Sequence, residues 1–259
     1  MKESVYLMPG MAASPKIFEF LSFPDYYDVN YLSWIPPVKD ESWRDYALRM
    51  SARVKHKKPI LIGVSLGGIL VQEMKNHLDC KKVIIISSIK SNKELPIHMK
   101  IAKRTKAHRL LPTQWVQNLE MLTSFAFGEN IQRRLARYKK YLSERDPEYL
   151  NWAIDRLVNW ERSEIDPQVI HIHGSQDAVF PIKNIIKPFI TVAGDHGIII
   201  TKSEWFNGKL PKILNESLID FKEVKTPGKS FWVIEPEENF VKYITSKLGV
   251  IEKCEIENI

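Results

Sequence analysis

Short runs of Val, Ile and Leu alternate with helical patterns, and this alternation restricts the fold more than any other feature of the chain. The runs "SVYLM", "PILIGV" and "KVIIISSI" contain few polar residues, which is typical of strands covered on both faces. Strands separated by helices form a parallel sheet with helices packed on it. The sequence therefore predicts an open α/β architecture.

The alternation stops between residues 91 and 166, where helical patterns rich in Trp, Leu and Arg follow one another. Strand patterns resume at "QVIHIHG" and "PFITVAGDHGI". We interpret residues 91–166 as a helical cap inserted into a core formed by residues 1–90 and 167–221. Residues 222–259 are assigned to a C-terminal extension. Within it, "EPEENFVKYITSKLG" predicts one helix, because acidic residues follow its proline and a glycine ends it.

The chain carries 38 Lys and Arg against 31 Asp and Glu, a formal charge of +7. The excess lies in residues 90–109 and 133–140, at helical spacing with apolar residues, and indicates solvated helix faces. Attraction for an anionic substrate or an acidic surface is the alternative. Without zinc-finger spacing or an aromatic RNA-binding signature, we expect no nucleic-acid partner. No secretory signal, membrane-spanning run or disulfide framework is found, so a cytoplasmic protein is expected.

A serine lies between two glycines where a strand pattern meets a helix pattern, in "PILIGVSLGGILVQEM". A sharp strand-to-helix turn holds a hydroxyl clear of the backbone, and glycines at Gly63 and Gly67 relieve the collisions that such a turn creates. The helix that follows directs its free N–H groups at the same place. Ser65 is therefore a candidate nucleophile. The alternative is an ordinary tight turn that contains a hydroxyl.

A serine hydroxyl needs a base within reach, and His196 is the best placed of the seven histidines. It follows the pattern "ITVAGD" at the end of a strand, where sites form in parallel sheets. His171 and His173 alternate inside a strand and are predicted to be packed. Asp177, just past the strand "VIHIHG", is the candidate acid that orients the base. Asp195 is weaker, since neighbours in an extended loop point apart.

The motifs "GVSLG", "HGSQDAVFP" and "GDH", in that order, make the chain resemble the α/β-hydrolases over about residues 4–215. The resemblance implies that Ser65 is the nucleophile, His196 the general base and acid, and Asp177 the orienting acid. The early "LMPGMAAS" corresponds to the loop that carries an oxyanion-hole residue in that family. The backbone N–H groups of Met11 and Leu66 are therefore the implied oxyanion donors.

Two departures from the family pattern change the expected fold. We expect the first strand pair of larger members to be absent, and therefore a mostly parallel sheet of about six strands with helices on both faces. Only 19 positions separate Asp177 from His196, so the usual helix between them is expected to be shortened or lost. The C-terminal extension is a candidate cover for an exposed edge strand.

The predicted cap contains apolar residues that favour a small-molecule substrate with an apolar acyl or alcohol part. These are Trp115, Leu119, Leu122, Phe125, Trp152, Leu157 and Trp160. No motif for a cofactor, acyl carrier or metal is found. The leading hypothesis is a serine hydrolase that cleaves a small carboxylic ester through an acyl-enzyme. The alternatives are a thioesterase or acyltransferase with the same triad, and a non-catalytic ligand-binding protein of the fold. The oligomeric state is not predicted.

Overall fold

The computed structural model describes residues 2–106, 140–215, 222–226, 229–233 and 255–258. Its main feature is a six-stranded sheet in the order β2-β1-β3-β4-β5-β6, in which every neighbouring pair is parallel. The strands are β1 (Glu3–Met8), β2 (Tyr27–Tyr31), β3 (Ile60–Val64), β4 (Lys82–Ile86), β5 (Val169–Gly174) and β6 (Ile190–Val192). The predicted parallel α/β sheet of about six strands is confirmed.

Six α-helices connect or cover these strands in the described residues. They are α1 (Trp43–Ser51), α2 (Leu66–Met74), α3 (Ile97–Thr105), α4 (Pro147–Val158), α5 (Ile198–Thr201) and α6 (Ser203–Asn215). Side chains cap two of them: the Ser42 hydroxyl accepts a hydrogen bond from Asp45 N in α1, and the Asp146 carboxylate accepts one from Tyr149 N in α4. Each cap pairs a backbone donor that the helix itself leaves unpaired.

Both faces of the sheet are buried, because successive strand residues point to opposite sides. On one face Met8, Leu61 and Ile85 pack with α1, α2 and α4. On the other, Leu7 and Ile84 pack with α5 and α6. Burial of this apolar surface is the main stabilising contribution to the fold. It also holds the carboxyl ends of all six strands at one edge.

Helix α4, at the end of the predicted cap, packs on the helices of the core. Trp152, Leu157 and Trp160 are buried in the cluster that includes α1 and α2. The Trp152 indole N–H donates to the carbonyl of Glu41, 2.8 Å away, which ties α4 to the start of α1. The other four residues expected to line the cap lie outside the described residues.

The segment between β5 and β6 contains one short 3-10 turn, Ile182–Asn184, and no α-helix. The expected loss of the usual helix in this connection is confirmed. Between Asp177, just after β5, and His196, just after β6, the chain therefore contains only this short 3-10 turn and β6 itself as regular elements.

A second, three-stranded antiparallel sheet lies in the C-terminal extension, in the order β8-β7-β9. Its strands are β7 (Lys222–Thr226), β8 (Lys229–Val233) and β9 (Glu255–Asn258). The sequence patterns did not indicate these strands. The helix expected in residues 235–249 lies outside the described residues. Cα atoms of β8 come within 8 Å of those of the edge strand β6, although the two strands are not hydrogen-bonded partners.

Candidate active site

Ser65 occupies a strained position between β3 and α2. Its backbone has φ 52° and ψ −121°, in a region that residues with a Cβ rarely adopt. Such strain persists only where the surroundings hold it, and it concentrates at functional sites. Here the Ser65 N–H donates to Ile86 O (2.9 Å), while Ser65 O accepts from Gly68 N (2.9 Å) and from the Ser88 hydroxyl (2.7 Å).

The two glycines around Ser65 leave no room for a side chain. A Cβ on Gly63 would lie 2.3 Å from the carbonyl oxygen of Gly67, so the collision predicted within the turn is real. A Cβ on Gly67 would lie 2.3 Å from the carbonyl oxygen of Pro9. Gly67 is therefore required by the approach of the loop after β1, as well as by the turn.

His196 and Asp177 are both brought to Ser65, although they follow different strands. His196 Nε2 lies 2.9 Å from Ser65 Oγ, and His196 Nδ1 lies 2.8 Å from Asp177 Oδ2. An ionised carboxylate only accepts, so Nδ1–H donates to Asp177 and Nε2 is left to accept from the Ser65 hydroxyl. Asp195 is placed differently, since its carboxylate accepts from Gly197 N.

Asp177 is fully buried and ionised. Burial opposes ionisation, but the electrostatic attraction and hydrogen bond of His196, together with the hydrogen bond from the N–H of Phe180, outweigh it and lower the pKa of this carboxyl. Its second oxygen accepts from the N–H groups of Val179 (2.8 Å) and Phe180 (2.9 Å). A carboxylate with these donors stays charged at neutral pH and can stabilise an imidazolium beside it.

Two buried histidines lie behind Asp177, packed as the sequence predicted. His173 Nε2–H donates to the carbonyl of Phe180 (2.8 Å), so its Nδ1 accepts from His171 Nε2–H (3.0 Å). Burial lowers the pKa of His173 and lowers that of His171 well below its ordinary value. Both rings are therefore neutral, and they hold the 177–180 loop by hydrogen bonding and packing.

The loop after β1 passes directly beside Ser65. A Cβ on Gly10 would lie 3.2 Å from the Cβ of Ser65 and 3.9 Å from its Oγ. The Gly10 carbonyl accepts two hydrogen bonds, from Ala13 N (3.1 Å) and from the indole N–H of Trp34 (2.8 Å). Two donors on one carbonyl restrict the rotation of the peptide that follows it.

The two implied oxyanion donors belong to the two backbone segments that meet at the candidate nucleophile. Leu66 is the first residue of α2, where a backbone N–H has no acceptor within the helix. Met11 follows Gly10, and no part of the chain that the structure describes accepts a hydrogen bond from its N–H. Both N–H groups therefore belong to the backbone that adjoins Ser65.

Comparison with solved structures identifies the architecture. A hydrolase from Pseudomonas aeruginosa PA01 superposes with a TM-score of 0.63 at 14% identity, covering 83% of this chain and 91% of that one. The enol-lactonase from Burkholderia xenovorans LB400 gives 0.60 at 13% identity, with 83% and 92% covered. A thermophilic esterase from Thermogutta terrifontis gives 0.56 at 14% identity, with 83% and 90% covered.

The chain has the α/β-hydrolase fold. No protein-family model matches the sequence, and no curated protein matches it. The three-dimensional likeness therefore carries the assignment, together with the order of the three motifs along the chain.

Two residues that contact the α/β-hydrolase site were not singled out from the sequence. The Trp34 indole N–H donates a hydrogen bond to the Gly10 carbonyl in the loop after β1. The Ser88 hydroxyl donates one to the Ser65 carbonyl. Each follows a strand by two or three positions, β2 for Trp34 and β4 for Ser88. Because parallel strands end at one edge, a polar group just past a strand end is the signal that points to both.

The described part of this α/β-hydrolase fold holds no group of three or more His, Cys, Asp or Glu side chains suited to a metal ion. Within the same residues, no helix has the length and apolar character needed to cross a membrane. The chemistry available at the site is that of the Ser65 hydroxyl, which is hydrogen-bonded to the His196 imidazole, which is hydrogen-bonded in turn to the Asp177 carboxylate. Such an arrangement can transfer the hydroxyl proton to the imidazole as the oxygen attacks an electrophile.

Proposed function

We propose that this chain is a serine hydrolase that cleaves a small carboxylic ester through an acyl-enzyme on Ser65. The observation that carries the proposal is the unbroken chain of hydrogen bonds from Ser65 Oγ through His196 to the buried carboxylate of Asp177. The strained backbone of Ser65 supports it, because such strain is maintained where it positions a reacting group.

In the acylation step, Ser65 Oγ attacks the carbonyl carbon of the ester while His196 Nε2 takes the hydroxyl proton. The N–H groups of Met11 and Leu66 donate to the oxyanion that develops on the carbonyl oxygen. The tetrahedral intermediate then expels the alcohol, and His196 returns the proton to the departing oxygen. Asp177 keeps Nδ1 protonated throughout and stabilises the imidazolium.

Deacylation repeats these steps with water as the nucleophile. His196 takes a proton from water, whose oxygen attacks the acyl carbon. The same two N–H groups donate to the second oxyanion, and Ser65 leaves as its own hydroxyl by recovering a proton from His196. The products are the carboxylic acid and the free enzyme, so no cofactor is required.

The names of the similar structures support ester chemistry, since one is an esterase and another an enol-lactonase. We further propose that residues 91–166 form a cap over the site and select an apolar acyl or alcohol part. This insertion begins just after β4, whose last residue, Ile86, accepts a hydrogen bond from the N–H of Ser65. A chain leaving the sheet there starts next to the nucleophile.

The test is labelling with a fluorophosphonate, read by intact mass, on the wild type and on Ser65→Ala and His196→Ala. The expected result is one adduct on the wild type, none on Ser65→Ala, and labelling at least about 1000-fold slower on His196→Ala, because the serine then lacks its base. Ser42→Ala and His56→Ala, outside the site, are the matched controls and should label normally.

A series of p-nitrophenyl esters and matched acyl thioesters then separates the ester hypothesis from thioesterase activity. A folded wild type that forms no adduct and turns over neither series would refute the proposal and favour a ligand-binding protein. Turnover of thioesters alone would show that the substrate is a thioester and not an ester, and would leave the proposed roles of the triad unchanged.

A further inference from the structure

We infer that Trp34 is a positioning residue for the oxyanion hole, acting through the Gly10–Met11 peptide. The inference rests on the proposed function and concerns how one of its two oxyanion donors is aimed. The juxtaposition that carries it is the indole N–H of Trp34, 2.8 Å from the carbonyl oxygen of Gly10, on the loop beside Ser65.

The geometry of the peptide bond links that carbonyl to the Met11 N–H. In a planar trans peptide the C=O and the N–H point in opposite directions. The Gly10 oxygen is held by Trp34 and by Ala13 N, so the N–H of Met11 is directed away from the indole. Since Gly10 packs against Ser65, this direction keeps the donor available to an oxyanion formed at the serine.

The peptide needs such a restraint because of the residues around it. Glycine allows backbone rotations that other residues resist, so Gly10 itself does little to prevent a flip. A flipped peptide would turn a carbonyl oxygen toward the oxyanion, replacing an attraction with a repulsion. The restraint is therefore expected to affect the rate of the chemical step more than substrate binding.

Trp34 is held firmly enough to act in this way. Its side chain is 7% exposed. Its ring lies against two tyrosine rings, with centroid distances of 5.2 Å to Tyr149 and 6.2 Å to Tyr46. The indole cannot turn away without disturbing this cluster, so the N–H keeps its direction.

The chain provides a matched control for the loss of an indole hydrogen bond. The indole N–H of Trp43, at the start of α1, donates to the carbonyl of Arg156 at 2.9 Å. Its exposure of 8% is close to that of Trp34. Replacing Trp43 removes the same kind of bond from a position outside both the proposed cap and the loop beside Ser65.

The experiment compares Trp34→Phe with Trp43→Phe. For each, kcat and KM are measured on the best p-nitrophenyl ester, with the inhibition constant of a trifluoromethyl ketone that forms an oxyanion with the serine. Removing one oxyanion donor costs about 100-fold to 1000-fold in kcat, so a misdirected donor is expected to cost about 10-fold to 100-fold. For Trp34→Phe the affinity for the ketone should fall by a similar factor and KM should change little, whereas Trp43→Phe should keep wild-type values.

A purely structural role would change the free energy of unfolding equally in the two variants and leave the ketone affinity of Trp34→Phe at the level of Trp43→Phe. That outcome would overturn the inference while the proposed function stood. If Trp34→Phe folds poorly, 3-benzothienylalanine placed at position 34 keeps the shape of the indole and lacks only the N–H donor. A wild type that neither turns over esters nor labels at Ser65 would remove the proposed function and this inference together.

Discussion

The two loops that meet at Ser65 are stabilised in different ways. The turn Gly63–Gly67 depends on its own glycines and on the sheet and helix around it, including the hydrogen bonds of Ser65 to Ile86 and Ser88 at the end of β4. The loop after β1 is held instead by residues from outside the sheet and α2. In addition to the bond from Trp34, Glu144 N donates to Ala12 O at 3.0 Å, and Ser14 N donates to Tyr141 O at 2.9 Å. Ala12 has φ 62°, so this loop is also strained.

This difference predicts that substitutions in the two loops will affect stability and activity in different proportions. Residues that build the turn at Ser65 are packed into the crossing between β3 and α2, so changing them should damage stability and activity together. Residues that brace the loop after β1 lie outside it, so changing them should alter the aim of a donor at modest cost in stability. Three measurements test this contrast further.

The largest effect is expected from Gly67→Ala, because its new Cβ would meet the carbonyl oxygens of Pro9 at 2.3 Å and Met8 at 2.6 Å. We expect a loss of about 3 kcal/mol in the free energy of unfolding, as for severe overpacking, and loss of ester turnover. Urea unfolding and p-nitrophenyl ester assays measure the two quantities.

Gly208→Ala is the matched control for that substitution. Gly208 lies in α6, and nothing comes within 4 Å of a Cβ added there. Alanine should therefore stabilise the helix by about 0.5–1 kcal/mol and leave activity unchanged. Equal stability of the two variants would contradict the packing argument.

The next effect concerns the 177–180 loop, which also depends on distant support, from His171 and His173. Both histidines have a pKa lowered chiefly by burial, whereas in the unfolded chain they titrate near pH ~6.5. Below that pH the unfolded chain binds protons that the folded chain does not, so stability must fall as the pH is lowered. The expected slope approaches about 1.4 kcal/mol per pH unit for each histidine.

Urea unfolding between pH 7.5 and pH 5 measures that slope. His171→Gln keeps a side-chain N–H donor for His173 and removes one titrating group, so it should reduce the slope by about half. Burial raises the pKa of Glu94, which therefore contributes with the opposite sign. The slope of the variant is therefore compared with that of the wild type. An unchanged slope in His171→Gln would contradict the prediction that His171 contributes to the pH dependence of stability.

The smallest effect should distinguish two helix caps. Ser42→Ala and Asp146→Ala each remove the side chain that caps a helix, and each should cost about 1 kcal/mol. Only Asp146 begins the helix that places Tyr149 against Trp34. We therefore expect Asp146→Ala alone to lower kcat, by about 2-fold to 5-fold, with stability matched in the two variants. Equal kcat in both would show that α4 does not influence the loop after β1.

Features that depend on nearby residues could be predicted from the sequence. Strands β1, β3 and β4 follow from apolar runs such as Ile84–Ile86, and the turn at Ser65 follows from its flanking glycines. Asp177 and His196 were singled out because each comes just past a strand end, and the structure brings both to Ser65.

Features that depend on distant partners could not be predicted. The position of Trp34 just past a strand end indicates only that it lies near the site, and no local pattern indicates its hydrogen bond to Gly10, since the two are 24 positions apart. The strands β7 and β9 are short and carry Lys or Glu at several positions, so their patterns lack an apolar run. The hydrogen bond from Trp152 to the carbonyl of Glu41, just before α1, joins residues separated by 111 positions, which no window of sequence reveals.

The long connection between the adjacent strands β4 and β5 has an evolutionary consequence. Strands β4 and β5 are neighbours in the sheet, yet residues 87–168 separate them along the chain. The entropy of closing a loop grows only with the logarithm of its length, by about 0.6 kcal/mol per doubling. Compared with a crossover of about a dozen residues, this connection therefore disfavours folding by less than about 2 kcal/mol. Selection can therefore change the length of this connection with little entropic penalty to the sheet, provided that α4 and the residues that brace the loop after β1 are kept, while Ser65, Asp177 and His196 stay in place.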